Sequence, residues 1–230
     1  MFADDATLSL SGENFNPLVE TLNQELNKID VWTKSNRLTI NYEKTVGIIF
    51  SKIPFNLDSN ILMNDRSISI NFEHKYLGVI IDRDLNFKNH IKINFFQNFK
   101  NVGIFYRLKN LLPLKSKISL YYSLIYPYIL YANLAWGGTY ATNLNSLIIL
   151  QKKIIRIISN SDFYAHCNPL FVSNKILKIP DVFKFQLALY GFKSPNLVES
   201  NISHSYNTRT RNLCQPAFQR LTICKHSLAF

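Results

Sequence analysis

Near the start of the chain two carboxylates stand side by side, in Phe2-Ala3-Asp4-Asp5-Ala6-Thr7-Leu8. Strand-favouring residues flank them, so the pair is predicted to occupy a tight turn between two strands. A turn of that kind gathers hard oxygen donors at one point in space, which suits Mg²⁺ or a similar divalent ion such as Mn²⁺. Paired ions can activate a 3′-hydroxyl for in-line displacement and stabilise the departing pyrophosphate. An Ala-Asp-Asp triplet alone is a weak signal, because a solvated acidic stretch near a chain start has the same composition. Its meaning depends on the order of the elements C-terminal to it.

The second group of chemistry-bearing residues is basic. Lys152, Lys153 and Arg156 fall together on one side of a predicted helix, which fits either contact with nucleic-acid phosphates or a solvated helix face. Arg209 and Arg211 lie in a polar, basic stretch over 204–211, readable as a phosphate-binding arm or as a plain basic loop. Charge along the 230 residues is uneven: residues 1–30 hold six acids and one base, whereas residues 111–230 hold thirteen bases and three acids. An acidic start followed by a basic body, with a net charge of +11, nominates a polyanionic partner without proving one. A hydrophobic fraction of 47% excludes a disordered chain. Cys167, Cys214 and Cys224 are odd in number and widely spaced, which argues against a disulfide framework. With His166 and His226 they offer no close Cys-x-x-Cys pair for structural zinc.

The elements that must position these residues change in character along the chain. After the acidic turn, Val19, Leu22, Leu26 and Ile29 recur at helical spacing behind Asn16-Pro17, predicting a helix to about Thr33. Leu38–Asn41, Thr45–Phe50, Ser67–Phe72 and Lys75–Ile81 read as strands, with a turn at Asn41–Lys44 and a looser stretch over 54–66. From residue 86 the period becomes helical. Ile91, Phe95, Phe99, Val102 and Tyr106 mark one stripe; Ile118, Tyr122, Ile125, Ile129, Ala132 and Trp136 mark a second, kinked at Pro127. Leu147, Leu150, Ile154 and Ile158 mark a third, and Asp181–Tyr190 suggests one more helix. The expected fold class is therefore α+β: antiparallel strands with a helix over 1–85, a helical bundle over 86–160, and a C-terminal extension with a basic segment over 161–230. Ile118–Gln151 contains no charged residue, but the five tyrosines and Pro127 within Ile118–Trp136 favour a buried helix over a membrane span.

The order of these motifs carries a resemblance. The acidic turn, the amphipathic helix ending in Trp32, Leu38-Thr39-Ile40-Asn41-Tyr42-Glu43-Lys44-Thr45 and Lys75-Tyr76-Leu77-Gly78-Val79 follow one another. After them come Leu85-Asn86-Phe87, Leu120–Pro127, Tyr131-Ala132-x-x-x-Trp136-Gly137 and Leu150-Gln151-Lys152-Lys153. This succession resembles the reverse transcriptases of non-LTR (LINE-type) retrotransposons, such as the jockey-like elements, over most of the chain. The resemblance implies the later part of a polymerase palm followed by a thumb-like bundle. It implies Asp4 as a metal-binding catalytic carboxylate with Asp5 beside it, and Phe2 shaping the primer end of the site. Lys44 would neutralise or protonate departing pyrophosphate, as a point charge near a metal-phosphate centre can; an exposed turn lysine has the same sequence. Tyr76-Leu77-Gly78 would form the primer grip, where Gly78 lets a backbone come close. RNA template, DNA primer and deoxynucleoside triphosphates would be the partners, in the nucleus or cytoplasm.

The family's fingers and first palm aspartate precede the Ala-Asp-Asp turn, so the chain is expected to hold only part of a two-metal site and to be inactive alone. The competing reading is a non-catalytic, basic nucleic-acid-binding module derived from such an element.

Overall fold

The computed structural model describes residues 5–51 and 60–193. Phe2, Ala3, Asp4, the stretch 52–59, the basic segment 204–211, Cys214, Cys224 and His226 lie outside the described residues. The chain divides into two compact units. The first runs to Tyr76 and takes in Ile81–Asp84; the second comprises Leu77–Ile80 and the chain from Leu85 onward.

The first unit is built on helix α1 (Phe15–Ser35). It begins at Phe15, slightly before the predicted Asn16-Pro17 start, because a proline anywhere in the first turn gives up an N–H that has no acceptor there. The predicted stripe is the one that packs: Val19 and Leu26 are buried against Ile61, Met63 and Ile68, with Leu22 and Ile29 partly covered beside them. The strands are short: β1 (Val46–Gly47), β2 (Leu62–Met63), β3 (Arg66–Ser67), β4 (Ser69–Ile70), β5 (Glu73–Tyr76) and β6 (Val79–Asp82). β2 and β3 form an antiparallel hairpin that lies mostly within the looser stretch over 54–66. Its turn is Asn64-Asp65, both left-handed at φ 52° and 59°, residue types that tolerate that region. Two helix asparagines one turn apart hold this hairpin. Asn23 Oδ1 accepts the Leu62 N–H and Asn27 Oδ1 accepts the Asn64 N–H, both at 2.9 Å.

Three strand expectations are corrected. β1 pairs with β4 in parallel, Val46 opposite Ser69 and Gly47 opposite Ile70, where antiparallel pairing was expected; the intervening β2–β3 hairpin is long enough to return the chain in the same direction. Leu38–Asn41 is not a strand, because the Leu38 N–H closes the end of α1 on Thr33 O at 2.8 Å. Residues 6–12 carry no strand either, although Asp5 forms a single bridge; Leu8 and Leu10 are exposed, so no face of this segment is buried to fix a register.

The second unit is helical: α2 (Lys88–Leu108), α3 (Leu114–Leu124), α4 (Tyr126–Leu130), α5 (Asn133–Trp136), α6 (Ala141–Ile158), α7 (Cys167–Ser173) and α8 (Ile179–Lys193). With the short sheets of the first unit, this makes the chain α+β. α6 is the central element. Its predicted stripe of Leu147, Leu150, Ile154 and Ile158 is buried, together with Leu144, Ile155 and Ile157, and α2, α7 and α8 pack on it.

Two helical expectations shift. The single kinked helix over Ile118–Trp136 is three helices. Pro127 sits in the first turn of α4, where its missing N–H breaks the ladder from α3, and Ala132 turns left-handed at φ 49° before α5. None of the described helices is long and apolar enough to cross a membrane. On α2 the buried side carries His90, Ile91, Asn94, Asn98, Val102 and Phe105, while Phe99 and Tyr106 of the predicted stripe are exposed. Asn98 buries its side chain with Nδ2 donating to Asn94 O at 2.8 Å and Oδ1 unpartnered, so apolarity alone picks the wrong face. On α8, Val182 is buried but Phe185 is exposed.

Candidate functional site

Asp5 is exposed, and its neighbour Asp4 lies outside the described residues. Among the described residues no group of three or more histidines, cysteines or acids could hold a metal ion. The adjacent carboxylates are donors of the right chemistry for a divalent ion. A two-metal site would need further carboxylates, which the described residues do not gather.

Lys44 closes the turn that was expected at Asn41–Lys44. Its N–H bonds Asn41 O at 3.2 Å and Asn41 Oδ1 at 3.1 Å, and Thr45 Oγ1 donates to Asn41 O at 2.8 Å. The side chain is exposed. Within the turn, Tyr42 Oη donates to Asp30 Oδ1 at 2.6 Å, and Lys34 Nζ meets Asp30 Oδ2 at 2.6 Å. The Arg66 guanidinium lies over the Tyr42 ring, 4.6 Å from its centroid. The hydrogen bonds from Lys34 and then Tyr42 hold the Asp30 carboxyl below the usual carboxylate range, and Asp30 in turn raises the Lys34 ammonium. Asp30 was missed by the sequence reading. Its signal was an acid placed one turn after Leu26 on the apolar face of α1.

Tyr76-Leu77-Gly78 is not a strand but the end and turn of the β5–β6 hairpin. Leu77 and Gly78 both take positive φ, 45° and 81°, the signature of a two-residue type I′ turn. Gly78 accepts this without strain; Leu77 does not. Leu77 O accepts a hydrogen bond from Tyr131 Oη. Just past the turn, the Ile80 N–H bonds His90 Nδ1 at 3.4 Å. A ring that accepts at Nδ1 while neutral carries its proton on Nε2, which lies 3.2 Å from the Asn94 side-chain amide. Burial lowers the His90 imidazole below the ordinary histidine range.

Of the three basic residues on α6, Lys152 is exposed, and Lys153 and Arg156 are half-buried. Arg156 is partly committed, its Nε donating to Ala165 O at 3.0 Å. Asp5 and Lys44 belong to the first unit, and Leu77, Gly78, Lys152, Lys153 and Arg156 to the second. Arg209 and Arg211 lie outside the described residues.

Comparison with curated proteins finds similarity to longer chains. The chain is 27% identical over 183 residues to the RNA-directed DNA polymerase from mobile element jockey of Drosophila funebris, covering 78% of this chain and 20% of that one. It is 27% identical over 184 residues to the Drosophila melanogaster protein of the same description, again covering 78% and 20%. The chain is similar to the RNA-directed DNA polymerases of jockey-type mobile elements. The probable RNA-directed DNA polymerase from transposon BS of Drosophila melanogaster is 26% identical over 174 residues, or 71% of this chain and 18% of that one. The chain thus spans about a fifth of the length of the curated reverse transcriptases it matches. No family model and no solved structure matches it.

The segments that carry the reverse-transcriptase resemblance also contain residues whose part is structural. Gln151, between Leu150 and Lys152, is buried: its Nε2 donates to Tyr121 Oη and Leu177 O, each at 2.8 Å, and its Oε1 accepts the Ile179 N–H at 3.1 Å. Lys117, just before the Leu120–Pro127 segment, is buried as well, its Nζ donating to Asn160 Oδ1 at 2.8 Å. Burial, followed by the nearby Lys109 charge, lowers its ammonium from the ordinary lysine value. Neither side chain stood out by type, because glutamine and lysine ordinarily face water.

Proposed function

We propose that this chain is the part of an RNA-directed DNA polymerase that runs from the catalytic Asp-Asp turn through the palm and into the thumb. Residues 1–85 would be the palm portion, 86–160 the thumb-like bundle and 161–230 an extension. The observation that carries this reading is the similarity to polymerases of the jockey type across 78% of the chain. In the whole enzyme, Asp4 and Asp5 would hold Mg²⁺ or Mn²⁺, and bound metal would supply charge stabilisation to nucleotidyl transfer. Lys44, exposed at the end of a turn braced by Asp30 and Tyr42, would offer a positive point charge to phosphate oxygens. The left-handed Leu77-Gly78 turn, preceded by Tyr76, would present backbone to the primer strand. Lys152, Lys153 and Arg156, with Arg209 and Arg211, would contact phosphates of the RNA template and DNA primer. Deoxynucleoside triphosphates would be the substrates.

The test is a chimera in which this chain replaces the matching stretch of the Drosophila funebris jockey polymerase, assayed by RNA-templated primer extension. Asp4→Ala should remove several kcal/mol of transition-state stabilisation, a loss of about a hundredfold or more. Extension that survives Asp4→Ala would refute the assignment of Asp4.

A second reading, a basic nucleic-acid-binding module without catalysis, is favoured by the exposure of Lys152 and the basic excess after residue 110. It expects the isolated chain to bind RNA or DNA with steep salt dependence, and to keep that binding in the Asp4→Ala/Asp5→Ala variant.

A further inference from the structure

The Tyr131-Ala132-x-x-x-Trp136-Gly137 stretch has no part in the chemistry proposed for the enzyme, yet its side chains meet the tip of the β5–β6 hairpin. Tyr131 Oη donates to Leu77 O. The Tyr131 ring lies against Gly78, where an added Cβ would come within 3.4 Å of Cε1. Behind Tyr131, the fully buried Trp136 donates from Nε1 to Tyr131 O at 2.8 Å. The Trp136 ring in turn lies 5.9 Å from the His90 ring, and His90 Nδ1 accepts the Ile80 N–H. These contacts close a circuit from Leu77 through Tyr131, Trp136 and His90 to Ile80, gripping the turn on both sides.

Local conformation explains why the turn needs such support. A two-residue type I′ turn holds itself when its first residue is Asn, Asp or Gly. Here that residue is Leu77, whose side chain disfavours φ of 45°. The left-handed Ala132 serves the same circuit. Residues five apart on an unbroken helix point to different faces; the break at Ala132 lets the Trp136 indole reach back to the Tyr131 carbonyl.

We propose that Tyr131, backed by Trp136 and His90, is a positioning residue that locks the Leu77-Gly78 turn in its left-handed form, so that the helical unit aims the backbone facing the primer strand. The aiming half rests on reading Tyr76-Leu77-Gly78 as the primer grip; the locking half rests on the contacts alone. The full chain and its Tyr131→Phe variant separate the two. Amide hydrogen exchange at Leu77–Ile80 reads the turn, and binding of a fluorescein-labelled DNA primer annealed to an RNA template reads the grip. Removing one hydroxyl should speed exchange at Ile80 by about tenfold or more while leaving the urea midpoint nearly unchanged. The same variant should weaken duplex binding by about three- to tenfold. Adding Leu77→Asn to Tyr131→Phe should restore both, because Asn-Gly sustains the turn unaided. Unchanged exchange in Tyr131→Phe would overturn the lock, whatever the duplex does. Faster exchange with unaltered duplex affinity, or a parent chain that does not bind the duplex, would keep the lock and overturn the primer-grip reading.

Discussion

Replacing Gln151 with leucine tests whether one buried amide joins three helices of the second unit. Gln151 sits on α6 and bonds the Tyr121 hydroxyl on α3, the Leu177 carbonyl, and the Ile179 N–H that opens α8. Leucine keeps much of the volume but bonds none of them. Each buried group left unpaired costs about 1–3 kcal/mol. Tyr121 and Ile179 are almost wholly buried, whereas Leu177 is 43% exposed and its carbonyl can turn to water; two full penalties therefore count. The apolar side chain returns about 1–2 kcal/mol, so at the middle of these ranges Gln151→Leu should destabilise the chain by about 2–3 kcal/mol. Tyr121→Phe alone should cost about 0.5–1.5 kcal/mol. In the double variant the phenylalanine leaves no hydroxyl to orphan, so the loss should fall short of the sum by about 1–2 kcal/mol. Urea denaturation of the four proteins, with slopes compared as well as midpoints, measures all of this. A Gln151→Leu chain within about 0.5 kcal/mol of the parent would refute the reasoning.

Other perturbations each act on a single feature. Burial depresses the His90 imidazole, so the unfolded chain takes up the proton first; stability should be full above about pH 6.5 and decline as pH falls from there toward the folded value. Comparing urea midpoints at pH 7.5 and 5.5, His90→Gln should flatten that decline. The Lys117 ammonium is likewise depressed, so its contribution should rise as pH climbs toward about 10.4, the unfolded lysine value. Lys117→Met should lose that rise between pH 8 and 10, and an identical pH profile for the two proteins would contradict it. Gly137→Ala would place a Cβ 2.6 Å from Asn133 O and 2.9 Å from the Phe183 ring, which should cost about 1–3 kcal/mol and lower the thermal midpoint.

Much of the α+β framework was legible because it rests on strong periodicity. The α1 stripe and the α6 stripe are apolar at every fourth or third position, and both became core. What failed had identifiable reasons. The α2 stripe misled because the buried side of the helix carries the polar Asn94 and Asn98, with Phe99 and Tyr106 facing outward. The β2–β3 hairpin was hidden in a stretch with no alternation, although Asn64-Asp65 is a recognisable left-handed pair. Tyr76-Leu77-Gly78 reads as strand because leucine rarely takes positive φ, and the contacts the turn makes with Tyr131 and His90 are tertiary ones that local sequence does not show. Among candidate site residues, the turn carrying Lys44 was readable from Asn41 onward. The buried Asp30 that braces it was not, since it pairs with a tyrosine twelve positions away.

The buried polar side chains of the helical unit have an experimental consequence. They are mostly neutral amides: Asn94, Asn98, Asn133, Gln151 and Asn174. Among the described residues, the ion pair within this unit is the exposed one between Lys184 and Asp181. Amide contacts carry no net charge for electrolyte to screen. Ionic strength can therefore be raised through the range that dissociates phosphate contacts with little effect on these amide contacts. Under the proposed function, a salt titration of nucleic-acid affinity would report the number of cations on the bound strand.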